Sequence, residues 1–181
     1  MERVHLRQLC ENDRELYGLA YREEPENETA NEELIELMFQ TCLSHPEDEM
    51  AILLGDNNEW CGYCSVFYKE NDIPELGINL LPAYQGRGIG AAAIRQLITY
   101  VRKDHNMSKF SLKMTRENIR CRRMCEKLGA KFEGEVIHPM DQMFKNFEEE
   151  LGAEAFQKAV KGISLKFNPV LRYVIDINEL F

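Results

Sequence analysis

The chain predicts an α/β or α+β fold, a mixed sheet covered by helices. Three observations carry that expectation. Apolar residues switch along the chain between period two and period 3.6. Strand-like runs follow one another directly in the middle of the chain, whereas helical segments separate them later. The 181 residues, 44% hydrophobic and 29% charged, are enough for one buried core without covalent staples. No repeat or linker divides residues 1–181, so one domain is expected.

Taken in order, VHLRQL (4–9) alternates like a half-buried strand. Asn12 and Asp13 supply cap chemistry for a short helix running towards Tyr21, and the acidic, proline-broken stretch 22–33 reads as a loop. Thr29 and Glu32 have the spacing of a capping box for the next helix, whose Leu34, Leu37, Met38 and Cys42 would form one apolar face. Strands are expected at 50–55, 60–68 and 73–81, with GDNN (55–58) as the first turn. The glycine-rich stretch 82–90 leads directly into an Ala- and Leu-rich helix. A strand at 109–114, a helix from about Asn118 to Leu128 stopped by Gly129, and a strand at 131–137 follow. Residues 140–162 have helical periodicity, with Met140, Met143, Phe144, Phe147 and Leu151 on one face, and 163–177 return to strand.

Several classes of function are disfavoured at this stage. No window approaches the roughly eighteen apolar residues of a membrane span, and the first residues lack the apolar stretch of a signal peptide, so a cytoplasmic protein with no membrane partner is expected. Cys10, Cys42, Cys61, Cys64, Cys121 and Cys125 are scattered, as reduced thiols are. Cys61 and Cys64 form a CxxC, but they fall in a strand, where residues three apart point to opposite faces. None of His5, His45, His105 or His138 supplies a second ligand pair, so no metal is expected.

The net charge of −9 is unevenly spread. Residues 1–83 hold 5 basic and 19 acidic side chains, whereas 84–131 hold 12 basic and 3 acidic. The basic block suits a polyanion, either nucleic acid or a phosphate-bearing cofactor, and a solvated helix face would look the same. Nucleic acid is disfavoured by the overall charge and by the absence of clustered aromatics beside Arg120, Arg122 and Arg123.

Within that block stand Gln85, Gly86, Arg87, Gly88, Ile89 and Gly90. A helix preceded by small residues leaves its first N–H groups bare and its dipole outward, which is what a pyrophosphate needs. The stretch is neither a Walker loop nor a GxGxxG, and it follows four strands, where a dinucleotide fingerprint would open the fold.

It resembles the pyrophosphate-binding signature Q/R-x-x-G-x-G/A of the GNAT superfamily of N-acetyltransferases, with Gln85, Gly88 and Gly90 in the three slots. ELGINLLPAYQGRGIG (75–90) is similar to that family's fourth strand and turn, and NIRCRRMCEKLGAKFEG (118–134) to the helix and strand that follow. The order of elements from residue 4 to about 137 agrees.

The resemblance implies a mostly antiparallel central sheet flanked by helices and transfer of acetyl from acetyl-CoA, a co-substrate, to a primary amine in a ternary complex. By the same resemblance, the turn from Gln85 through Gly86, Arg87, Gly88 and Ile89 to Gly90 would hold the pyrophosphate. Leu80 would offer backbone bonds to the pantetheine arm. Asn118, equally suited to a helix N-cap, would contact CoA. Glu75, early in the fourth strand, would be the base. Many members carry a Tyr just before Glu, Lys, Leu and Gly as proton donor to the departing thiolate, and this chain has Cys125 there. Cys125 is therefore a candidate acid, with Arg122 nearby to lower its pKa, or a small packed residue. Loss of the Tyr leaves open a catalytically silent acyl-CoA sensor or partner-binding module. The acidic 22–33 stretch suits a cationic acceptor, and a homodimer is compatible with all of this.

Overall fold

The computed structural model describes residues 3–23, 30–68, 72–104, 107–137, 152 and 170–179. Seven strands, β1 (Val4–Gln8), β2 (Glu49–Leu54), β3 (Glu59–Phe67), β4 (Glu75–Leu80), β5 (Lys109–Thr115), β6 (Lys131–Val136) and β7 (Val170–Asp176), form one sheet in the order β1-β2-β3-β4-β5-β7-β6. Each neighbouring pair is antiparallel except β4 with β5. This is the mostly antiparallel, helix-flanked fold class expected. The segment 140–162 and the first part of the last strand segment lie outside the described residues, Gly152 aside.

Period-two alternation gives the sheet two apolar faces. On one, helices α3 (Ile89–Asp104) and α4 (Ile119–Lys127) pack Ile94, Leu97 and Cys125 against Ile52, Val66, Phe110, Leu112 and Ile175. On the other, α1 (Arg14–Arg22) and α2 (Glu32–Ser44) pack Tyr17, Ile35 and Phe39 against Ala51, Leu53, Trp60 and Tyr63.

Three local expectations are corrected. The cap of α2 is Asn31, whose side chain accepts the Leu34 N–H at 2.9 Å, and Thr29 lies outside the described residues. The inward stripe of α2 is Ile35, Phe39 and Cys42, whereas Leu34 and Leu37 are exposed. Cys61 and Cys64 also share one face, in the α3/α4 core, while Trp60 and Tyr63 share the other. A bulge explains this: Ile52 pairs with Gly62 and Leu53 with Trp60, so one extra residue in β3 reverses the alternation. Gly62 is required there, since a Cβ would lie 2.0 Å from the Asn79 carbonyl oxygen.

At the end of α4 the expected stop is present. Gly129 sits at φ +78, its N–H reaches the Glu126 carbonyl at 3.0 Å, and the Ala130 N–H reaches that of Cys125 at 2.9 Å, the paired bonds of a Schellman cap.

Candidate active site

β4 and β5 share a single register pair, Glu75 with Ser111, where the Ser111 N–H donates to the Pro74 carbonyl at 2.8 Å. The odd-numbered side of the β4 backbone faces β3, as the 3.0 Å bond from the Leu81 N–H, just past its end, to the Cys61 carbonyl shows. Alternation therefore turns the backbone of Leu76, Ile78 and Leu80 towards β5, where pairing has stopped. Parallel strands that part at their carboxyl ends open a crevice beneath the loops that follow, a favoured place for ligands.

Those loops meet at the crevice. After β4 a short 3-10 turn, Pro82–Tyr84, leads to Gly86 and Gly88, at φ +75 and +83. Both conformations favour glycine, and a Cβ at either would meet nothing within 4 Å, so the surroundings are open. The Gly88 carbonyl accepts the Ala92 N–H at 3.2 Å, which starts α3 and leaves the N–H groups of Ile89, Gly90 and Ala91 without an acceptor inside the helix. Gly90 has a different task. A Cβ there would lie 2.9 Å from Met124 Sδ and 3.3 Å from Ile78 Cδ1, so its bareness lets α3 close on α4 and β4.

Gln85 ties the loop down. Its Nε2 donates to the Leu80 carbonyl at 2.8 Å, and its Oε1 accepts from Arg120 on α4. The Leu80 carbonyl, expected to serve a pantetheine arm, thus already holds one partner. Arg87 lies 5.6 Å from the Tyr84 ring centroid, and the Tyr84 hydroxyl donates to Glu59 at 2.7 Å, which pushes its pKa up to about 12. Asn118 is the N-cap of α4: its Oδ1 accepts the Cys121 N–H at 3.0 Å. Two helix N-termini, open glycines and the cations Arg87 and Arg120 converge here. That donor set fits a pyrophosphate.

Cys125 is on α4. It is fully buried in the α3/α4 core, and its thiol is pushed well up, first by a hydrogen bond with Cys121 and then by burial. The expected lowering by Arg122 is corrected, because that guanidinium hydrogen-bonds Tyr173. A thiol that holds its proton this firmly is a poor acid. Cys125→Ala is expected to keep turnover within about tenfold, against the hundredfold or more that loss of a positioned general acid costs. Steady-state rates on the folded variant check this, and near-complete loss of turnover with intact CoA binding would restore the thiol as the acid.

Glu75 lies at the start of β4, about 17 Å along the strand from Leu80 and on the α1/α2 face by alternation. It pairs with Lys113 of β5, Oε2 to Nζ 2.9 Å, with the two side chains 20% and 17% exposed. Lys113 went unremarked in the sequence because it sat among ordinary strand residues. Its cross-strand partner, Arg172, is held by Asp72 at 2.6 Å and Glu133 at 3.0 Å.

Sequence reasoning also missed Glu49. It precedes an apolar strand and resembled a loop charge, yet it is 8% exposed. Burial pushes its pKa up to about 7, with Asp48 adding to the rise and a hydrogen bond from Cys42 opposing it. The signal was phase: Glu49 falls in step with Ala51 and Leu53, which face the α1/α2 core. Among the described residues no group of three or more His, Cys, Asp or Glu side chains could hold a metal ion, and no helix is long and apolar enough to cross a membrane.

Residues 3–131 match the family model described as an acetyltransferase (GNAT) domain. No curated protein matches the chain. Among solved structures, a GNAT-family acetyltransferase from Bacillus anthracis is 16% identical, with 98% of this chain and 99% of that one covered and a TM-score of 0.71. The spermidine N-acetyltransferase from Vibrio cholerae in complex with CoA and spermine is also 16% identical, with coverages of 97% and 96% and a TM-score of 0.69. A domain from Methanocaldococcus jannaschii is 20% identical, with coverages of 97% and 99% and a TM-score of 0.65. At such identities the structures speak for the fold, and the family model for membership.

Proposed function

The chain belongs to the GNAT acetyltransferase family, and from that premise we propose that it moves the acetyl group of acetyl-CoA to a primary amine by direct attack in a ternary complex. The observation that carries this reading is the open Gly86–Gly88 turn feeding the bare N-terminus of α3 beside the gap between β4 and β5. Bound there, acetyl-CoA supplies an activated thioester. The N–H groups of Ile89, Gly90 and Ala91, with Arg87 and Arg120, neutralise its phosphates. Gln85 holds the turn against Leu80, and the β4 backbone facing the gap orients the pantetheine arm.

An ammonium must lose a proton before its nitrogen can attack, and Glu75 accepts that proton. Lys113 positions the carboxylate through their 2.9 Å contact. No Cys/His pair stands at the turn to form an acetylated enzyme. The acceptor is a cationic amine, a reading supported by the 19 acidic side chains of residues 1–83 and by the spermine bound to the Vibrio cholerae relative. The protein works in the cytoplasm.

Burial of Cys125, at the position of the family's Tyr, favours a second reading, a silent acyl-CoA sensor. A thiol-release assay with acetyl-CoA across amines and peptide termini separates the two. Turnover of at least one amine is expected. Tight CoA binding with no turnover across the panel would leave the sensor.

A further inference from the structure

The register of the sheet lines up Glu49 of β2, Ser65 of β3 and Gly77 of β4, so all three face the α1/α2 side in one row. The next row is Phe67, Glu75 and Ser111. Strand spacings place the Cα atoms of Glu49 and Glu75 about 12 Å apart on one face. Glu49 is thus one row inward from the proposed base.

Its surroundings are unusual for a carboxylate. Oε2 is buried and without a hydrogen-bond partner. The groups acting on it are Cys42 from α2 and Asp48 beside it, and no cation is among them within the described residues. From α1 come two tyrosines. Tyr17 is stacked on Tyr63 with centroids 4.6 Å apart and on Tyr21 at 6.0 Å. The charge of Glu49 reaches both Tyr17 and Tyr21, and Tyr21 is only partly buried, so the aromatic wall runs from the carboxylate to the surface. Cys64 feels the same charge from β3. A lone buried carboxylate beside aromatic rings lacks one thing, a cation, and carboxylate with ring faces is the chemistry that recognises an alkylammonium.

We propose that Glu49 is a specificity residue that binds a second ammonium of the acceptor, so that the preferred substrate is a flexible diamine or longer polycation held between Glu49 and Glu75. This rests on the acetyl-transfer reading above. Ser65 and Gly77, in the row of Glu49, and Phe67, in the row of Glu75, form the sheet floor between the two carboxylates, and the tyrosine wall stands beyond Glu49.

The test compares hexylamine with hexamethylenediamine, equal in chain length, in wild type and Glu49→Gln. The ratio of kcat/KM for the diamine over the monoamine is expected to fall by about tenfold to a hundredfold in the variant, the loss of one charge-assisted contact. Thermal melting without acetyl-CoA gives a readout free of turnover: hexamethylenediamine should raise the Tm of wild type and not that of the variant. Turnover with an unchanged ratio and an unchanged Tm response would overturn the role of Glu49. Absence of turnover with both amines would instead sink the acetyl-transfer reading, while the Tm comparison still decides whether Glu49 binds a dication. If Glu49→Gln fails to fold, Glu49→Met, which removes the charge at similar length, takes its place in both measurements.

Discussion

Replacing Glu75 by glutamine is expected to lower kcat by about a hundredfold to ten-thousandfold, the range for losing a positioned general base. The amide keeps the length and shape of the side chain and loses only its capacity to take a proton. Lys113 stands 2.9 Å away, so the variant also leaves a partly buried ammonium without its counter-charge. Calorimetry with CoA separates that local disturbance from damage to the remote glycine turn, which should bind as before. Glu75→Asp gives a graded control, with the charge restored and the reach shortened, and should recover part of the rate. A Glu75→Gln enzyme within tenfold of wild type would show that another group or water takes the proton.

The second large effect is expected at Gly88. Valine there should weaken CoA binding by about a hundredfold, the equivalent of one strong charge-assisted hydrogen bond lost. Nothing within 4 Å would clash with the new Cβ, so crowding by the protein is not the cause. Backbone conformation is: at φ +83 a β-branched residue is strongly disfavoured, and relief of that strain turns the following amides away from their common target. Gly55 supplies the control. It also has a positive φ, +66, with nothing within 4 Å, but it lies in the β2–β3 turn. Gly55→Val should carry similar strain with CoA affinity intact. Equal losses in the two variants would reduce the Gly88 effect to general destabilisation, and unchanged CoA binding in Gly88→Val would remove the turn from the site.

The glycine turn was legible because its signal is local: three glycines in five positions have no place in a strand-to-helix junction unless the backbone needs them. Element order was legible for the same reason, as each period spans only a few residues. What failed depended on partners distant in sequence. Leu34 and Leu37 are as apolar as Ile35 and Phe39, and only the direction in which α2 meets the sheet decides which pair is covered. The bulge that brings Cys61 and Cys64 to one face answers to the Asn79 carbonyl on β4, which alternation within β3 cannot reveal. Glu49 and Lys113 gained their interest from burial and cross-strand neighbours. Cys125 matched a family position by alignment, yet its chemistry is set by Cys121 and the core around it.

The position of β7 bears on how the chain reaches this state during synthesis. β5 and β6 are not neighbours; each pairs with β7, which lies between them and is translated after both. β1 to β4 need only residues 4–80 to complete their mutual pairing, so they can fold while later segments are still being made. β5 and β6 must wait with open edges until residues 170–176 emerge. The nascent chain is therefore most exposed to mispairing in that interval, at the two strands that flank the latecomer.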